Sequence, residues 1–266
     1  MRSSTRLVAI VAIGAGLIWA AAAYTGIGWD EIRHYGQPRN VLDDNGTSVP
    51  IPLPDGPSER LLPAVPVTSN GEHSFLFDDG GEPIRYDPCR PLGWVVNPDG
   101  APAGAVDLVH SAVDDVEQST GLDFEYLGET DEVASFERSL FQDRYGSGFA
   151  PIIIGFSTED ATPDLAGSVT GVGGSSAVSG AYGVPQYLRS GVVIMDADDV
   201  AEIQEQSTGE WLAQAIVRHE LGHVVGLGHV ADTAELMNAE NMRTTEWGPG
   251  DRQGLAIAGN GPCEPA

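Results

Sequence analysis

The stretch RHELGHVVGLGHV, residues 218–230, holds three of the six histidines in the chain. His219 and His223 are four residues apart, so on a helix their imidazoles share one face and can converge on a single point. A continuing helix would carry His229 ~9 Å further along the axis. That is too far for ligands that each stand ~2.0–2.1 Å from one ion. Gly226 resolves the conflict. Glycine enters the left-handed region at little cost and commonly ends helices, so the helix is expected to stop there and the chain to turn back, returning His229 to the other two. Three neutral imidazoles leave one tetrahedral position open, which marks a catalytic rather than a structural zinc site. Glu220 adjoins the first ligand and is placed to take a proton from a zinc-activated water. From this composition, H-E-x-x-H arises by chance about once in a hundred such sequences; adding Gly226 and His229 lowers that to about three in a hundred thousand.

The surrounding sequence supplies a scaffold. Ser207 and Glu210 form an S-x-x-E capping pattern before the helix, and Trp211, Leu212, Ala215, Ile216 and Leu221 give it an apolar surface. Further upstream, GWVVN (residues 93–97) reads as a strand. Val106, Val109, Val113 and Val116 repeat at helical spacing, and Gly121 ends that helix. His110 lies beside its apolar face and reads as structural. LDFEYLG (122–128), PIIIGFS (151–157) and GVVIMD (191–196) read as further strands. This order of elements is an α/β order. Residues 167–191, rich in glycine and serine, read as a flexible loop edging a cleft. They lack the G-K-[ST] ending of a phosphate loop.

Composition excludes several functions. The net charge is −26, and all 13 basic residues are arginine. Such a chain is repelled by phosphate backbones, so no nucleic-acid partner is expected. A Schiff-base lysine is excluded outright, since the chain has no lysine. Arg2 and Arg6 precede an uncharged run over residues 7–24, and no charge follows until Asp30. Residues 1–29 are therefore read as a signal or a membrane anchor, the domain lying outside the membrane. A retained anchor is suggested by the length of the run and by Trp19, Tyr24 and Trp29 near its outer end; a cleaved signal is suggested by the small residues Ala20–Ala23. Residues 30–74 hold Pro50, Pro52, Pro54, Pro57, Pro63 and Pro66, and read as a stalk or an inhibitory pro-segment. The folded domain is assigned to residues 75–266. Cys89 and Cys263 are the two cysteines, and in an oxidising compartment a bridge between them is the default reading.

The run H-E-L-G-H-V-V-G-L-G-H matches H-E-x-x-H-x-x-G-x-x-H, and so resembles the signature of the metzincin zinc endopeptidases. Met237, eight residues after His229 in AELMNAENM, is similar to the methionine turn of the matrixin branch. WGPGDRQGLAIAG (247–259) resembles that branch's C-terminal helix. The resemblance implies an α/β (α+β) fold: a twisted mixed sheet with two long helices, an active-site cleft and a small C-terminal subdomain. It implies one catalytic zinc on His219, His223 and His229, Glu220 as general base, and Met237 supporting the site from below. Its substrate would be a protein or peptide, extended along an edge strand near SAVSG (176–180) or GVVIMD. The family's cysteine-switch motif is absent, since Cys89 sits in DPCRP. Asn238 and Ala239 stand where the branch has tyrosine and proline after its turn methionine. The sequence supports no calcium site. The alternative is a surface-anchored binding or assembly protein that keeps the fold without catalysis; a broken Glu220 or ligand would favour it, and none is broken.

Overall fold

The computed structural model describes residues 40–42, 48–50, 59–178, 186–240 and 244–264. The expected anchor or signal over residues 1–29 lies outside them. Among the described residues no helix is long and apolar enough to cross a membrane.

A five-stranded sheet organises the domain. Strands β1 (Asn40–Leu42) and β2 (Ser48–Pro50) pair antiparallel apart from it, as do β4 (Asp78–Asp79) and β5 (Glu82–Pro83). Two-residue β3 (Ser74–Phe75) pairs with β11 (Leu227–Gly228). The main sheet takes β6 (Leu92–Val96), β7 (Phe124–Glu129), β8 (Ile152–Ser157), β9 (Gly171–Val178) and β10 (Tyr187–Asp196), in the order β7-β6-β8-β10-β9. All neighbours are parallel except β9, which runs antiparallel to β10 at one edge. Helix α1 (Ala105–Thr120) joins β6 to β7, α2 (Ala197–Gln204) follows β10, α3 (Gly209–Val224) carries the first two histidines of the motif, and α4 (Pro249–Gly259) comes last. This is the mixed sheet with two long helices that the resemblance implies.

Alternation along the strands builds two cores. Trp94, Val96, Ile152, Ile154, Val193 and Met195 face α1 and α3, meeting Val109, Val113, Val116, Leu221 and Val224. Val95, Ile153, Val192 and Ile194 point the other way, onto Ala134 and Leu165. The covering segment on that face is fixed by a buried ion pair: Arg138 Nε and Nη2 donate to the two Glu132 oxygens at 2.8 Å, and Gln142 and Tyr145 donate to the same carboxylate. Gly121 ends α1 at φ 67, its N–H donating to Glu117 O, as the sequence predicts. His110 packs edge-on to Trp94 and Tyr126, a structural placement.

Four expectations change. The glycine- and serine-rich stretch is largely strand, since residues 171–178 form the sheet edge. The glycines are there because α3 lies against them: a Cβ on Gly173 would stand 2.3 Å from Glu220 O, and one on Gly171 2.9 Å from Glu220 Cγ. The edge therefore includes residues 176–178 of SAVSG, whereas GVVIMD lies in an interior strand between β8 and β9. Ser207 caps nothing: α3 begins after Thr208 with no side-chain cap, because α2 and a turn precede it, and Trp211 is 69% exposed. The folded part also starts before Phe75. Arg60 donates to Gly259 O and Gly121 O, tying the segment expected to be a stalk or a pro-segment to the ends of α4 and α1. The expected Cys89–Cys263 bridge is formed, with Cα atoms 5.4 Å apart across a sequence separation of 174.

Replacing Gly173 by alanine drives a methyl group into the backbone of α3 and should cost about 1–3 kcal/mol, the usual range for overpacking. Gly174→Ala, whose Cβ would meet nothing nearer than Phe136 at 3.5 Å, should be close to neutral. Denaturant midpoints of the two variants check this.

Candidate metal centre

Helix α3 ends just as the spacing of the histidines requires. Val225 N–H donates to Leu221 O and Gly226 N–H to His223 O, closing the last turn. Gly226 then takes φ 103, outside the range that side chains with a Cβ favour. The chain reverses through β11, and His229 returns beside the helix. The three Nε2 atoms form a triangle: His219 to His223 is 3.1 Å, and each stands 3.0 Å from His229.

The contact between His219 and His223 is not a hydrogen bond. His219 Nδ1 lies 2.7 Å from Leu236 O and His223 Nδ1 2.8 Å from Leu227 O. A carbonyl only accepts, so in both rings the proton sits on Nδ1 and Nε2 presents a lone pair. Lone pairs pointed at one another 3 Å apart repel unless a cation lies among them. Tetrahedral ligands at zinc distances stand ~3.3 Å apart, close to what is seen. Burial, reinforced by the neighbouring imidazoles, lowers the pKa of His219 to about 4 and of His223 to about 3, which keeps them in the neutral form that binds metal. His223 is buried, His219 half-buried and His229 exposed, so the group opens to solvent on the His229 side.

Glu220 is 6% exposed and lies against Gly171 and Gly173 of the edge strand β9. No hydrogen bond reaches its carboxyl among the described residues, and burial alone pushes its pKa up to about 8. A cation nearby would act the other way and favour the carboxylate.

Below the triangle runs the loop bearing Met237. Its Sδ would stand 2.6 Å from a Cβ on Gly222, so the glycine inside the H-E-L-G-H run is what lets the methionine pack under α3. Glycine in a helix interior costs about 1 kcal/mol relative to alanine, and that anomaly was the one sequence signal for this contact. Asp251, on the first turn of α4, was not singled out by the sequence. It accepts from the backbone N–H groups of Leu236, Met237 and Gly248. Glu235 in turn accepts from Gly250 N–H and Asp251 N–H. Asn238 donates to Val230 O and Ala231 O, and Val230 N–H donates to Met237 O. A carboxylate on one helix thus fixes the loop whose carbonyl orients His219. Cys89 is held in the disulfide and has no thiolate to offer a metal.

A family model described as Matrixin matches residues 106–254. The chain belongs to the matrixin family. That places it among the zinc peptidases, with a zinc cofactor and protein or peptide substrates implied. Among solved structures it is similar to the GM1-bound form of the ECX AB5 holotoxin, at 11% identity and a TM-score of 0.43, covering 76% of this chain and 93% of the other. It is also similar to an archaemetzincin from Methanopyrus kandleri, at 16% identity and a TM-score of 0.35, covering 65% and 88%. No curated protein sequence matches. Within the matrixin domain the structure brings together His219, His223 and His229, sets Gly226 at the reversal, places Met237 beneath α3 and lays Glu220 along β9.

Two outcomes are expected. Gly226→Val should weaken zinc binding as His229→Ala does, although it touches no ligand, because valine resists φ 103 and its Cβ would meet Leu188 Cδ1 at 3.1 Å. Zinc content after dialysis against a weak chelator reads this directly. The second concerns metal-free protein. A carboxyl whose folded pKa is raised binds more protons folded than unfolded, so stability falls as pH rises from its unfolded value of about 4.5 towards 8. Glu220→Gln removes that titration, so its stability advantage over the wild type should grow across this window and level off above it. Urea unfolding of chelated protein at several pH values measures the gap.

Proposed function

We propose that this chain is an exported zinc endopeptidase in which Glu220 is the catalytic base. The observation that carries the reading is the triangle of three Nε2 atoms, two of them bare because carbonyls hold the ring proton at Nδ1, with Glu220 next to His219 on α3 and lying against β9. When bound, zinc supplies Lewis acidity: it lets a water ionise near neutral pH and polarises the scissile carbonyl. His219, His223 and His229 hold it. A substrate backbone lies extended along β9, whose outer edge carries no partner strand among the described residues, and pairs with it by main-chain hydrogen bonds. Glu220 takes the proton of the attacking water and passes it to the leaving amide nitrogen. Its burial keeps bulk water from competing for that proton.

Export is supported by the charge pattern of residues 1–29 and by the Cys89–Cys263 bridge, which suits an oxidising compartment. The N-terminal segment remains attached as a membrane anchor with the domain outside.

The test is cleavage of a mixed peptide library by the purified full chain, with and without zinc. Cleavage should require zinc and fall by ~10²–10⁴ or more in Glu220→Gln, the usual value of general base catalysis, while that variant still binds one zinc. Full activity in Glu220→Gln would overturn the role given to this residue. Intact-mass analysis of exported protein should find no processing near Tyr24.

A further inference from the structure

His219 and His223 are each anchored at Nδ1 by a backbone carbonyl, but His229 is not. Among the described residues its ring has only the other two imidazoles within hydrogen-bond distance. It is also the exposed member of the three, and it follows a chain reversal. Its position must therefore be set through its backbone.

The backbone is held from an unexpected direction. β3 pairs antiparallel with β11, Phe75 opposite Leu227 and Ser74 opposite Gly228. Leu76 N–H donates to Gly226 O at 2.9 Å. Ser74 Oγ donates to the carbonyl of His229 itself at 2.8 Å. Gly228 makes this reach available, since a Cβ there would stand 2.7 Å from Ser74 Oγ. Three residues beyond the ligand, Asp232 N–H donates to Glu72 Oε2 at 2.9 Å. The segment is itself seated on α4: Gly71 N–H donates to Gln253 Oε1, and a Cβ on Gly250 would collide with Glu72 O at 1.9 Å. Leu227, paired with Phe75, also carries the carbonyl that receives His223 Nδ1, so two of the three ligands depend on this pairing.

We infer that residues 71–76 form a clamp that sets the position of the third metal ligand, with Ser74 and Glu72 as its positioning residues. The inference rests on the reading of the three histidines as metal ligands. It makes part of the proline-rich segment an integral piece of the metal centre rather than a spacer. Neither residue touches substrate or metal. Ser74 holds the ligand's own carbonyl and Glu72 holds the chain just after it.

The experiment measures zinc affinity of the full chain by competition with a chromogenic chelator, together with thermal midpoints of chelated protein. Ser74→Ala with Glu72→Ala should raise the zinc Kd by roughly tenfold or more, within the ~10–100-fold typical of partners that orient ligands. The metal-free midpoint should change little, because Glu72 is exposed, Ser74 is only half-buried and neither substitution opens a cavity in the core. Ser74→Thr in the Glu72→Ala background keeps a hydroxyl at the same place and should recover much of the loss. Arg144→Ala, which breaks an exposed ion pair to Asp131, serves as the control and should leave the Kd unchanged. An unchanged Kd in the double variant overturns the clamp, as does a Kd loss matched by an equal fall in metal-free stability. If the variant shifts the Kd but no chain cleaves peptides, the clamp stands and the peptidase reading falls. If the wild type binds no zinc, both fall.

Discussion

Everything at this site follows from one repulsion. Three imidazole Nε2 atoms stand 3.0–3.1 Å from one another, and those of His219 and His223 face each other with unshared pairs, an arrangement that rewards a cation. Holding it requires that each ring have nowhere else to go. The carbonyls of Leu236 and Leu227 fix two rings in tautomer and direction, and the backbone of β11 fixes the third. Burial then withholds protons that would otherwise relieve the strain by charging the rings. Two rings are held by carbonyls and the third through its backbone, so little of the free energy of metal binding goes into ordering side chains.

The parts of this centre that sequence revealed are those governed by short-range geometry. Spacings of four and six around Gly226 fix the ligand set because helical periodicity and one reversal suffice to place them. The short apolar runs at 93–97 and 151–157 revealed the strands for the same reason. What stayed hidden is non-local. Gly171, Gly173 and Gly222 look like loop or helix-breaking residues until a second element is seen lying against them, since only the approach of α3 or Met237 explains a missing side chain. Ser207 and Glu210 satisfy a capping pattern, yet the preceding α2 leaves the helix to start elsewhere. Asp251 is an ordinary acidic residue in the first turn of a helix by sequence; only the fold turns it towards Leu236 and Met237.

The proline-rich stretch illustrates the limit of composition. Prolines at 63 and 66 deny their segment regular secondary structure, which is as compatible with a stalk as with a pro-segment. Regular structure and attachment are separate properties. Arg60 binds two helix ends through its guanidinium, Leu61 N–H donates to Pro88 O, and Asn260 donates to Val65 O, all without a helix or a strand of any length. An irregular chain adheres well when another element leaves carbonyls and N–H groups unused at its terminus.

The distribution of supports has a kinetic consequence. The ligands fall within eleven residues, but the groups that hold them come from residues 72–74, 227, 236 and 251, with a cross-link from 89 to 263. Contacts so distant in sequence close slowly, because loop entropy is lost before they can contribute. A chain made from its N-terminus therefore carries all three histidines well before α4 exists to fix the loop behind His219. The three histidines have their full set of supports only when both ends of the domain are in place.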